Sequence, residues 1–140
     1  MSVAIRTLSA QDVATAQEIV RRFHTRNVSD RHLASVLASA ANLLLVAEDV
    51  GCLLGFLFAH WIDRLPSEAH QLFIYEVEVT EKHRRAGVGF ALLTKALACA
   101  RERNARAFVL TNHSNPAAAA LYRKAGGVVK NGDDLLFVFS

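Results

Sequence analysis

The stretch Val77-Glu78-Val79-Thr80-Glu81-Lys82-His83-Arg84-Arg85-Ala86-Gly87-Val88-Gly89-Phe90 decides how this chain folds. It passes from a β-branched strand through a basic, glycine-containing loop into a helix. That helix is expected from about Gly87 to Arg103, because Val88, Leu92, Leu93, Ala96, Leu97 and Ala100 recur on one face. Backbone N–H groups at such a helix start point outward with the positive end of the macrodipole, and glycines let a phosphate approach the backbone closely. Arg84 and Arg85 add full charge. A dinucleotide fingerprint is excluded, since Leu92 stands where its third glycine belongs, and no GxxxxGK[ST] loop occurs.

Upstream, Leu72–Thr80 reads as a long central strand, and downstream Arg106–Thr111 reads as another. Strand, loop, helix, strand is a βαβ crossover, so this pair is expected to be parallel. Val3–Thr7 alternates as an opening strand, and Ser9 is positioned to cap a helix from about Asp12 to Arg26. Ser29 and Asp30 precede a second helical pattern through Leu33, Val36, Leu37 and Ala40. Asn42–Glu48 and Cys52–Ile62 read as strands joined by the turn Asp49-Val50-Gly51, and Asp63–Ala69 reads as a polar loop. Pro116 starts a helix that reaches Lys124, and Asn131-Gly132 suggests a closing hairpin of Val128–Lys130 with Leu135–Phe139. The expected fold is α/β (α+β): one domain over residues 1–140, about four helices, and a mixed, mostly antiparallel sheet of six to seven strands whose fourth and fifth are parallel.

The 140 residues are 52% hydrophobic and 21% charged, a globular balance. The longest central apolar run, Leu53–Ile62, is about half of the roughly 20 residues that a membrane span needs. The N-terminus has the reverse order of a secretory signal, so a cytoplasmic protein with no membrane partner is expected. Cys52 and Cys99 are isolated and read as reduced, buried thiols. The six histidines show no ligand spacing, so no metal is expected; His83 adjoins the loop and His113 follows the last central strand. The net charge of +3 concentrates at Lys82–Arg85, inside the phosphate loop, which argues against a nucleic-acid module.

The order Arg84-x-x-Gly87-x-Gly89 after a long strand resembles the acetyl-CoA pyrophosphate motif of the GNAT superfamily. Asn115-x-x-Ala118-x-x-Leu121-Tyr122-x-x-x-Gly126 resembles that family's C-terminal motif, with Gly127 departing where an aromatic residue often follows. The resemblance implies acetyl-CoA as cofactor. Val77 and Val79 would pair with its pantetheine arm, and the backbone of Arg85, Ala86, Gly87, Val88, Gly89 and Phe90, beside Arg84, would hold the pyrophosphate. Asn115 would lie on the cofactor side, with Tyr122 near the sulfur. Direct attack of an amine on the thioester needs a base, an oxyanion donor and an acid. Alternation puts Glu76 and Glu78 on one face, opposite Tyr75 and Val77 unless a bulge intervenes, so both are candidate bases, with Glu76 preferred. A backbone N–H near Val79 is the candidate oxyanion donor and Tyr122 the candidate acid.

Asp63–Glu68, Ile74–Val79, His83-Arg84-Arg85-x-Gly87 and Ala120-Leu121-Tyr122-x-Lys124-x-Gly126 are similar to class I aminoglycoside 3-N-acetyltransferases, which typically carry Asp at the position of Glu76. The implied acceptor is a polycationic small-molecule amine, for which Glu68, Glu76, Glu78, Asp133 and Asp134 are available carboxylates. The alternatives are another small amine or a protein amine, and outside enzymes a CoA-binding regulatory domain. The apolar terminal segment would suit either a homodimer or the chain's own sheet.

Overall fold

The computed structural model describes residues 1–139. Its sheet holds β1 (Ala4–Thr7), β2 (Asn42–Asp49), β3 (Cys52–Arg64), β4 (Ser67–Val79) and β5 (Arg106–Val109), side by side in that order. The first four strands run antiparallel. β5 lies parallel to β4, reached through helix α3 (Val88–Glu102), as the crossover pattern requires. α1 (Val13–Ile19), α2 (Asp30–Ala38) and α4 (Pro116–Lys124) complete the four expected helices.

The sheet has five strands, not six to seven. Residues 128–139 form no strand, and Val128, Val129 and Leu135 through Phe139 are exposed. Asn131 is instead engaged locally: its side-chain oxygen accepts from the Asp133 N–H at 2.9 Å, and its Nδ2 donates to Asp134 at 2.9 Å. Such bonds compete with a ladder, and an isolated two-stranded hairpin is marginal in water.

Two boundaries also differ from expectation. The expected polar loop at 63–69 is mostly strand, because Arg64 pairs with Ser67 and leaves only Leu65-Pro66 as the turn. The first helix stops being regular at Ile19, continues as a π-helical turn over Val20–His24, and is ended by Thr25 in the left-handed region (φ 50°). Its N-cap is Asp12, not Ser9. The Asp12 carboxylate accepts from the Ser9 N–H at 2.8 Å and from Arg6 at 3.0 Å, and the Ser9 bond foremost holds its pKa below the ordinary value. Ser29 does cap α2, accepting from the His32 N–H at 3.0 Å.

Apolar residues line both faces of the sheet. Val88, Leu92, Leu93, Ala96 and Ala100 of α3 are buried against β2, β3 and β4, the periodic face read from the sequence. On the other face Leu8, Ala16, Ile19, Leu33, Val46, Leu53 and Phe56 form a cluster under α1 and α2. Cys52 is exposed rather than buried, since it opens β3 beside the turn. Among the described residues no helix is long and apolar enough to cross a membrane.

The chain divides into two units, Met1–Leu110 and the segment from Thr111 on. In the second, α4 begins with Pro116 in its first turn and ends in a glycine cap. Gly126 adopts φ 97°, and the Gly127 N–H reaches back to the Tyr122 carbonyl at 2.9 Å.

Candidate active site

The site is built on an irregularity in β4. Phe58 pairs with Glu76 and Ala59 with Ile74, so Tyr75 has no partner on β3. This is the bulge on which the sequence reading of the face depended. Glu76 and Glu78 share the face of Phe58 and Phe56, as expected, but Tyr75 joins them. Its ring packs against His60 (5.8 Å between centroids) and Phe73 (5.7 Å), and Phe73 stacks on Phe108 (4.8 Å). The two carboxylates therefore lie beside an aromatic surface on which Tyr75 is 59% exposed.

A histidine completes the carboxylate pair. The π-helical turn after α1 delivers His24 so that its Nε2 lies 3.0 Å from Glu76 Oε2, and one ligand atom from each of His24, Glu76 and Glu78 falls within a 4.8 Å group. The Glu78 carboxyl has its pKa raised, first by burial and then by the neighbouring Glu76 charge, with His24 and Arg84 opposing. His24 carries no sequence motif. Its contact with Glu76 joins distant parts of the chain, and only the geometry of the turn creates it.

Beyond Ile74, which pairs with Val109, β4 has no partner on the β5 side among the described residues. The backbone of residues 75–79 is thus unpaired by β5 along that edge, next to both carboxylates. The loop that follows is held firmly: Thr80 N–H donates to the Leu54 carbonyl at 2.8 Å, Thr80 Oγ1 and His83 Nδ1 lie 2.7 Å apart, and Arg84 Nε donates to the Val79 carbonyl at 3.2 Å. Arg85 (φ 62°) and Gly87 (φ 85°) both take left-handed conformations immediately before α3. N–H groups in the first turn of any helix lack acceptors within it, so Val88 and Gly89 open a positively polarised helix end. An open strand edge leading to a basic helix start fits an extended thiol arm ending in a pyrophosphate.

The remaining candidates are carried by other segments of the chain. Glu68 sits eight residues before Glu76, about 26 Å along an extended strand, and does not join the pair. Asp133 and Asp134 belong to the second unit. In that unit the Asn115 side-chain oxygen caps α4 by accepting from the Ala118 N–H at 3.1 Å. Burial raises the pKa of Tyr122 in the same helix, which keeps its hydroxyl protonated.

A sheet whose bulged fourth strand outruns its parallel partner and leads into a basic, glycine-containing helix start suits an acyl-group transferase. Residues 13–127 match the acetyltransferase (GNAT) family, and the chain belongs to that family, whose acyl donor is acetyl-CoA. No curated protein matches the chain in sequence. Among solved structures, the aminoglycoside acetyltransferase HMB0005 from an uncultured soil metagenomic sample is 25% identical, with a TM-score of 0.89 and all of both chains covered. The aminoglycoside acetyltransferase meta-AAC0020, from the same kind of source and solved with sisomicin, is 19% identical; the TM-score is 0.92 over 99% of this chain and 95% of that one. AAC(6')-Iy, in complex with the bisubstrate analog CoA-S-monomethyl-acetylneamine, is 16% identical, with a TM-score of 0.81 over 100% and 99% of the two chains.

Proposed function

We propose that this acetyltransferase moves the acetyl group of acetyl-CoA to a primary amine by direct attack, and that the acceptor is the 3-amino group of an aminoglycoside. The carrying observation is the pair Glu76 and Glu78, on one face of a strand whose open edge leads to the Gly87 helix start. Paired carboxylates attract an ammonium ion, and burial with mutual repulsion keeps one of them poised to hold a proton. The resemblance to class I aminoglycoside 3-N-acetyltransferases and the likeness to HMB0005 support the acceptor class. Sugar amines present C–H faces that suit the rings of Tyr75 and Phe73.

Acetyl-CoA would supply the thioester, and Val77 and Val79 would hold its arm while the Arg84–Phe90 backbone would hold its pyrophosphate. Glu76 takes a proton from the acceptor ammonium, so that the neutral amine can attack the thioester carbonyl. The backbone N–H near Val79 would donate a hydrogen bond to the thioester oxygen as charge develops on it. The C–N bond would form as the C–S bond breaks, and the Tyr122 hydroxyl would be the proton donor for the departing thiolate.

The test is thiol release from acetyl-CoA against a panel of aminoglycosides, polyamines and peptide amines, in wild type and Glu76→Gln. Turnover of aminoglycosides bearing a 3-amino group, lost in Glu76→Gln, is the expected result. Turnover of a different amine alone would replace the acceptor while retaining the chemistry, whereas acetyl-CoA binding without turnover of any amine would favour a CoA-binding regulatory role.

A further inference from the structure

We infer that His24 is the positioning partner of Glu76 and the group that carries the acceptor's proton on to solvent. This rests on the acetyl-transfer reading above and adds to it a residue on a different element. Three observations carry it. The His24 Nε2 is 3.0 Å from Glu76 Oε2, a hydrogen-bond length. The His24 side chain is 40% exposed while that of Glu76 is 24% exposed, so the pair runs from the more enclosed carboxylate outward to water. The ring sits in an irregular turn closed by Thr25 at φ 50°, with the Phe56 ring 6.2 Å away as an apolar backstop.

The proton count requires such an exit. An acceptor arrives as R–NH3+ and leaves as a neutral amide, so two protons leave its nitrogen while the thiolate takes up one. One proton is therefore released per turnover. Glu76 accepts the first from the ammonium; its carboxyl then passes it along the existing contact to the unprotonated Nε2 of the Nδ1–H tautomer of neutral His24, which regenerates the carboxylate. The imidazolium so formed is stabilised by Glu76 and Glu78 and loses its proton to water.

Among the described residues, Glu76 and Glu78 approach His24 from β4, and the Phe56 ring faces it from β3. Arg84, on the loop after β4, acts on Glu78. On the turn itself Arg22 is engaged by Glu18 at 3.4 Å and by the Leu53 carbonyl at 3.3 Å. A His24 that already carries a proton cannot take another, so the relay runs only through the neutral ring.

The experiment measures kcat and KM against pH with one turned-over amine, for wild type, His24→Gln and His24→Ala, the last with and without added imidazole. Gln can hold Glu76 by a hydrogen bond yet cannot take a proton, which separates relay from support. Thermal unfolding of both variants controls for folding. The expected result for His24→Gln is a fall in kcat of about 10- to 100-fold. Its KM for acetyl-CoA stays within about two-fold, and its acid limb moves to lower pH, because one of the two proton-accepting groups is gone. Imidazole restores part of the rate to His24→Ala. An acid limb unmoved in His24→Gln, with no imidazole response in His24→Ala, would overturn the inference even if kcat fell. If no amine is turned over by the wild type, the acetyl-transfer reading fails and takes this inference with it.

Discussion

Gly55 lies so close to Glu78 that a Cβ at position 55 would stand 2.6 Å from the Glu78 carbonyl oxygen. Gly55 pairs with Val79 on β4, so the absence of a side chain there lets β3 approach the strand end that carries the carboxylates. Gly55→Ala is expected to push β4 away, because its nearest obstacles, the Glu78 carbonyl and the Val79 Cα at 3.2 Å, are backbone that no rotamer can relieve. Overpacking of this kind costs about 1–3 kcal/mol. Denaturant unfolding measures that loss, and kcat should fall further than the folded fraction accounts for, since Glu78 and the open edge move together.

The raised pKa of Glu78 sets a pH dependence of stability. Between the ordinary carboxylate pKa and the higher native one, the folded state binds more protons than the unfolded state, so stability falls as pH rises through that window. Glu78→Gln removes the titration. Thermal unfolding from about pH 4 to about pH 8 should show the variant gaining on wild type as pH rises, with the difference smallest at the acid end. A difference that instead grew toward acid would mean that Glu78 is stabilised as a carboxylate.

Gly87 tests the proposed pyrophosphate site at the start of α3. A Cβ there meets nothing within 4 Å, so only its φ of 85° opposes a substitution. Left-handed backbone costs an L-residue about 1–2 kcal/mol. Gly87→Ala should lose about that much stability or shift the turn before α3. In the second case the KM for acetyl-CoA rises by roughly tenfold with little change in kcat, the pattern of lost binding.

The loop around Gly87 was legible because its signals are local: a strand ending at Val79, arginines, glycines and a 3.6-residue period within one short span. The parallel pairing of β4 with β5 followed from the same span through crossover geometry. Less local features were not legible. Tyr75 as a bulge depends on the register that β3 imposes, and alternation alone cannot locate an extra residue. The His24–Glu76 contact requires a π-helical turn that no residue pattern announced. The terminal hairpin was expected from Asn131-Gly132, but turn chemistry without a neighbouring strand does not make sheet, and Asn131 spends its side chain on Asp133 and Asp134 instead.

The turn between β2 and β3 was placed correctly but carries an unsuited residue. Val50 (φ 49°) and Gly51 (φ 76°) both have positive φ, the pattern of a type I′ hairpin turn, which favours Asn-Gly. Val50 is β-branched and fully exposed, so it incurs the conformational cost with no packing in return. Val50→Asn should stabilise the fold by roughly 1 kcal/mol and leave kcat and KM unchanged, as read by denaturant midpoint and the thiol-release assay.

Tyr122 is where the chemistry of the second unit can be separated from its packing. Burial raises its pKa, so the hydroxyl is a neutral donor throughout the working range, as a group that protonates a departing thiolate must be. Tyr122→Phe keeps the ring and its helix while removing that one proton, so Tm should barely change. If the hydroxyl is the acid, kcat falls on the order of 100-fold while the KM for acetyl-CoA is little altered, because the interaction is made chiefly as the C–S bond breaks. The loss should shrink with an acyl donor whose thiol is more acidic, since a better leaving group needs less protonation. A Tyr122→Phe enzyme with wild-type kcat would return Tyr122 to a packing role and leave water as the source of the thiol proton.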